Sequence, residues 1–223
     1  MAFVIRLPSA AGNGNAFDLF PSGAPRWAFS MSKLLCVYCS SSDRIPPPYF
    51  AAADALGREL ALRGWGLVYG GGKTGLMGAV ARAVKQNGGR VVGVIPEFMK
   101  ARELAYTEAD ELVTCVTMRE RKLLMEMRAD AFVTLPGGFG TLEEIMEILT
   151  LRQLDVVRKP CVLLNQDGFY DALLQLFDRM LRENFFKPSN LDLFRVAATV
   201  PEIFPQIELA AQAKAEPKWF ETR

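Results

Sequence analysis

The feature that most constrains this chain is an alternation. Short, continuously apolar runs recur along it, most of them followed by a polar or glycine-rich loop and then by a stretch of helical periodicity. The runs lie at residues 34–39, 66–69, 90–95, 111–116, 131–135 and 161–164, and a further short strand is expected beyond residue 193. The helical stretches lie at 49–63, 76–86, 118–128, 142–154 and 169–183, with a last helix reaching toward residue 215. Strands that do not alternate apolar with polar side chains are buried on both faces. Strands joined through helices of this length form right-handed crossovers and a parallel sheet. The predicted fold class is therefore α/β, one domain over residues 32–223 with a three-layer arrangement of helices flanking a parallel sheet. In such a sheet, ligands bind beyond the carboxyl ends of the strands. The loops after residues 39, 69 and 135 all fall at that edge.

Residues 1–31 do not share the pattern. Gly12-Asn13-Gly14-Asn15 and Pro21-Ser22-Gly23-Ala24-Pro25 break it, and the segment is expected to be disordered. Arg6 and Arg26 with a single acid, Asp18, resemble a transit peptide; the other reading makes Met31 the start of the functional chain. A net charge of +1 gives no footprint for nucleic acid or an anionic membrane, and no apolar run approaches the length of a span. The expectation is thus a cytoplasmic protein without nucleic-acid or membrane partners. Cys36, Cys115 and Cys161 fall in predicted buried strands and Cys39 ends one, as in a reducing compartment. Cys36-x-x-Cys39 lies in a strand rather than at a helix start and has no second pair, so neither redox chemistry nor a metal site is expected. The chain has no histidine, which excludes Ser-His and Cys-His catalysis. A general acid or base must come from Asp, Glu, Lys, Tyr or Cys.

The run Leu135-Pro136-Gly137-Gly138-Phe139-Gly140-Thr141-Leu142-Glu143-Glu144 carries the strongest chemical signal. It joins a strand to a helix start, where unpaired N–H groups and the positive end of the helix dipole hold phosphates. Two plainer readings stand beside it: Thr141-x-x-Glu144 as a capping box, and Pro-Gly-Gly as an ordinary turn. Gly70-x-Gly72-x-x-Gly75 matches the dinucleotide fingerprint, with Glu97 at the spacing of a ribose-binding acid, so an NAD(P) oxidoreductase is a rival. Against it, Pro96 precedes the acid and this is the second βα loop rather than the first. The other reading of that loop is that Gly75 and Gly78 permit close helix packing. A Walker A loop fails, because the first glycine it needs is Leu67. Arg121 shares its helix face with Met118, Leu124 and Met125, so it needs a partner from another element, or else snorkels to solvent. Lys122 is placed to pair with Glu126 on the surface.

Taken jointly, these motifs resemble the LOG (Lonely Guy) family of cytokinin riboside 5′-monophosphate phosphoribohydrolases, often labelled lysine decarboxylase-like. Pro136–Glu144 fits its PGGxGTxxE signature, Met118–Met125 its Arg-Lys helix, Gly70–Gly78 its glycine loop, and Cys39–Ser42 its first loop. The resemblance implies a Rossmann-like fold, a homodimer and no cofactor or metal. It implies hydrolysis of the N-glycosidic bond of an N6-substituted AMP to free base and ribose 5-phosphate. By position, Arg121 and Glu144 correspond to the catalytic pair. Glu103, Arg121, Lys122, Gly138, Phe139, Gly140, Thr141, Leu142, Glu143, Glu144 and Thr150 correspond to substrate contacts. The alternative on the same fold is a carrier that binds a nucleotide or cofactor without hydrolysing it. The decarboxylase label fits poorly, since lysine decarboxylases of the known kind hold pyridoxal phosphate on a lysine, usually with a histidine beside it.

Overall fold

Seven strands form one sheet in the computed structural model, which describes residues 33–100 and 105–212. They are β1 (Leu34–Tyr38), β2 (Gly66–Tyr69), β3 (Val91–Pro96), β4 (Glu111–Cys115), β5 (Ala131–Thr134), β6 (Cys161–Leu164) and β7 (Arg195–Ala197). Every pairing is parallel and the order is β4-β3-β2-β1-β5-β6-β7. β1, β2, β3, β5 and β6 are buried throughout, as their unbroken apolar runs require. The edge strands β4 and β7 are shorter on apolar residues and partly exposed. The expected three-layer α/β architecture is the observed one.

The helices are α1 (Pro47–Leu62), α2 (Gly75–Gln86), α3 (Met118–Arg128), α4 (Phe139–Gln153), α5 (Asp171–Arg182) and α6 (Ile203–Gln212). One core layer packs Leu56 and Leu60 of α1, Leu76 and Val80 of α2, and Phe204 and Ile207 of α6 on Leu35, Val37, Tyr69 and Val133. The opposite layer packs Met125 of α3 and Ile145 and Ile148 of α4 on Cys36, Val68, Val92 and Phe132. Each such side chain, fully removed from water, contributes roughly 1.5–3 kcal/mol. The chain leaves β1 outward through β2, β3 and β4, then returns to place β5 on the other side of β1. Connections therefore diverge between β1 and β5, and the crevice opened by that reversal lies at the strands' carboxyl ends.

Two local expectations are corrected. α4 begins at Phe139, not residue 142, with Gly138 as its N-cap and no side-chain cap. Thr141 is thus inside the first turn, and the capping-box reading of Thr141 and Glu144 fails. A capping box does form at Thr117 and Glu120, at the start of α3. The expectations for residues 1–31 and for the end of the last helix near 215 lie outside the described residues.

The glycine loop after β2 is consumed by packing. The Gly75 amide donates to the Asp43 carboxylate at 2.7 Å, and the Leu76 amide to the Ser40 carbonyl at 2.9 Å. Gly75 has φ +57°, and a Cβ there would collide with the backbone of Ser40–Ser42. Gly78 leaves no room for a Cβ beside the Lys73 carbonyl. The start of α2 is filled by the protein's own acceptors, so the close-packing reading of Gly75 and Gly78 holds. Glu97 pairs instead with Lys100 at 2.8 Å.

Candidate active site

The crevice at the carboxyl ends of β1, β2 and β5 encloses a cavity of about 350 Å³. Its wall includes Cys39–Ser42 after β1, Gly70 after β2, one face of α3 and the start of α4. On the α4 side Gly138, Phe139, Gly140 and Thr141 line the wall, followed by Glu143 and Glu144. The first helical bond runs from the Leu142 amide to the Gly138 carbonyl at 3.0 Å. The amides of Gly138 to Thr141 therefore have no carbonyl one turn back to bond. Their residues line the cavity, with the positive end of the helix dipole behind them.

The turn before them is held from both sides. The Leu135 amide donates to the Tyr38 carbonyl at 2.9 Å, and the Ser40 amide to the Pro136 carbonyl at 3.3 Å. These bonds tie the β5 turn to the β1 loop across the switch point. Thr141 is buried, with its side chain over Gly137.

Arg121 is buried, with only 4 % of its surface exposed. Its Nε donates to the Val94 carbonyl at 3.1 Å and its Nη2 to the Gly70 carbonyl at 2.6 Å, both in buried surroundings. Nη1 lies 3.9 Å from the sulfurs of Met99 and Met118. The partners from other elements that its apolar helix face demanded are therefore present, and it is not a snorkelling residue. Gly70 is a glycine for the same reason: a Cβ there would overlap the guanidinium. The Arg121 and Glu144 charges are both felt at Cys39. Burial pushes that thiol well up, the Glu144 carboxylate adds to the shift, and Arg121 opposes it. The same carboxylate helps raise Cys36 and Tyr38, where burial is again the main cause.

Arg121, Gly138, Phe139, Gly140, Thr141, Glu143 and Glu144 thus line one cavity. Three residues do not join them. Lys122 reaches across to α4 and pairs with Glu143 and with Glu147 at 2.9 Å, rather than with Glu126. Burial alone would lower its pKa, but the two carboxylates outweigh this and raise it. Leu142 contributes a backbone bond rather than a cavity wall. Thr150 donates to the Met146 carbonyl at 2.8 Å and lines a separate apolar groove with Leu149, Phe177 and Phe194. Glu103 lies outside the described residues. Met77 and Met99, which give the cavity part of its apolar wall, had no recognisable signal in the sequence. No lysine lines the cavity among the described residues, so it does not fit a cofactor held as a lysine imine.

Fold and site together define a doubly wound α/β protein with its cavity at the topological switch point and one helix start open to it. A family model described as "Possible lysine decarboxylase" matches residues 77–207. The cytokinin riboside 5′-monophosphate phosphoribohydrolase LOG7 of Arabidopsis thaliana is 44% identical over 179 residues, 80% of this chain and 82% of that protein. LOG4 of the same plant is 42% identical over 174 residues, 78% and 81% of the two chains. The chain belongs to this LOG-type, lysine decarboxylase-like family. Among solved structures, the molybdenum cofactor carrier protein of Chlamydomonas reinhardtii shares the fold at TM-score 0.62 and 20% identity, over 82% of this chain and 99% of that one. The molybdenum cofactor binding protein of Rippkaea orientalis does so at TM-score 0.63 and 20% identity, over 81% and 98%.

Proposed function

We propose that this protein hydrolyses the N-glycosidic bond of a nucleoside 5′-monophosphate, an N6-substituted AMP, releasing free base and ribose 5-phosphate. One observation carries the reading: the open amides of α4, Arg121 and Glu144 line a single cavity. The relatives' shared name supports the reaction class. In this account the 5′-phosphate sits on the amides of Gly138 to Thr141, which are fixed in place before the ligand arrives. The ribose then lies toward Glu144, one turn further along α4. As the C1′–N bond lengthens, its electron pair leaves with the base and positive charge builds on the ribose. The Glu144 carboxylate stabilises that charge and takes a proton from the attacking water. The base recovers a proton as it leaves. Arg121, locked by two main-chain carbonyls, orients the ligand and Glu144 without having to be ordered at each turnover.

Residues 32–223 act as one Rossmann-like unit in this reading, located in the cytoplasm and paired as a homodimer. Support for the dimer comes from Leu123 and Met127 of α3 and from Phe139, which are apolar and exposed. Support for a non-membrane location is that no described helix is long and apolar enough to cross one.

The test is chromatographic detection of free base after incubation with AMP and with N6-isopentenyl-AMP. Release of the isopentenyl base in preference to adenine, abolished in Glu144→Ala, is the expected result. Equal release from both would move the reading to general nucleotide salvage. Tight binding of either without release would make the protein a carrier and overturn the proposal.

A further inference from the structure

The turn that aims the α4 amides has a third anchor outside the cavity. Tyr170 stands immediately before α5 and is 2 % exposed. Its hydroxyl donates to the Leu135 carbonyl at 2.7 Å in a buried setting. Burial raises the phenol's pKa above its usual value, and the Gly137 main chain works weakly against that rise. The phenol therefore ties the residue before α5 to the residue before Pro136. The Leu135 amide and the Pro136 carbonyl are already bound to Tyr38 and Ser40. With Tyr170 added, the Leu135 amide, the Leu135 carbonyl and the Pro136 carbonyl are all engaged by the protein. The α4 start follows directly.

Tyr170 is itself braced. Its amide donates to Asn165 Oδ1 at 2.7 Å, and Asn165 Nδ2 donates to Asp171 Oδ1 at 2.8 Å. The Asn165 amide donates to the Ala197 carbonyl on β7 at 2.8 Å. The ring packs edge-on against Phe169, which meets Tyr49 of α1 in the same way. Tyr170 does not line the cavity, so it does not touch the ligand.

We infer that Tyr170 is a positioning residue for the phosphate subsite, its hydroxyl fixing the 135–137 turn so that the Gly138–Thr141 amides converge on one anion. This rests on the reading that those amides hold the 5′-phosphate. Without the hydroxyl, the Leu135 carbonyl is left buried and unmatched and the turn relaxes. The loss falls on ground state and transition state alike, because the phosphate is bound in both. Such a loss raises KM and leaves kcat nearly unchanged.

Tyr170→Phe tests this, since it keeps the ring and removes only the hydroxyl. The expected result is a KM for N6-isopentenyl-AMP about tenfold higher, with kcat within about threefold, and about tenfold weaker protection of the fold by inorganic phosphate in a thermal melt. Asn165→Ala, which loosens the brace without touching the phenol, is expected to shift both readouts the same way by a smaller factor. A lowered melting temperature with unchanged KM and unchanged phosphate protection would make Tyr170 a purely structural residue and overturn the inference. The phosphate melt needs no turnover. If the wild type binds phosphate but releases no base, the hydrolase reading fails while Tyr170 is still tested. If phosphate protects the wild type not at all, the subsite and the inference fall together.

Discussion

Two glycine loops of this protein look alike as sequence and differ in what they leave open. The loop after β2 and the loop after β5 each join a buried strand to a helix, and each carries three or more glycines. At the first, the helix start is closed: the Asp43 carboxylate takes the Gly75 amide and the Ser40 carbonyl takes the Leu76 amide. At the second, the protein binds the turn before the helix and leaves the helix start facing a cavity. The glycines serve opposite ends. Gly75 and Gly78 let backbone meet backbone, whereas a Cβ at Gly138 or Gly140 would meet nothing within 4 Å. A glycine motif thus reports a close approach, and only the neighbouring acceptors decide whether a ligand or the chain itself makes it.

Substitutions can break the comparison, beginning with the largest effect. Glu144→Gln preserves the shape of the site but removes its carboxylate. Base release from N6-isopentenyl-AMP, followed chromatographically, is expected to fall by about 10²- to 10⁴-fold, with an unchanged urea midpoint. Gly75→Ala acts on the closed loop, where both the positive φ and the Ser40–Ser42 backbone oppose a side chain. It is expected to cost about 2–3 kcal/mol in urea unfolding while the folded fraction keeps its KM. Gly138→Ala acts on the open loop at an ordinary φ of −92°. Stability is expected to shift by less than about 0.5 kcal/mol, while KM rises about tenfold as the methyl group intrudes on the anion. If Gly138→Ala instead unfolded the protein and Gly75→Ala raised KM, the roles of the two loops would be reversed.

The smallest effect is on the thiols, and it bears on the layer beneath both loops. Burial pushes Cys161 up to about 12 and Cys36 and Cys39 well above the usual thiol range. These groups stay protonated in the folded chain while the unfolded chain ionises near pH 9. Their contribution to stability is therefore complete below about pH 9 and is lost as pH rises from there toward 12. The urea midpoint should fall over that window, and a thiol reagent at pH 8 should label Cys36 and Cys161 only after unfolding.

The sheet was legible because its central strands are apolar on both faces, so periodicity alone located β2, β5 and β6 to within a residue. The start of α4 was not, because Pro-Gly-Gly reads as a turn and conceals that the helix begins at Phe139. Arg121 announced itself by sitting on an apolar stripe without a local acid. Two of its partners, the Gly70 and Val94 carbonyls, lie 51 and 27 residues away. Asp43 as the plug of the first loop and Tyr170 as the anchor of the second are contacts across 32 and 35 residues. No spacing rule reaches that far. Lys122 was misassigned because helical spacing offered Glu126, while the fold brought Glu143 and Glu147 closer from α4.

A structure of Glu144→Ala soaked with AMP tests the central claim most directly. The account predicts the 5′-phosphate against the amides of Gly138 to Thr141, with the ribose turned toward position 144 and Arg121 still bonded to the Gly70 carbonyl. A phosphate at the start of α2, with Asp43 displaced from Gly75, would contradict it.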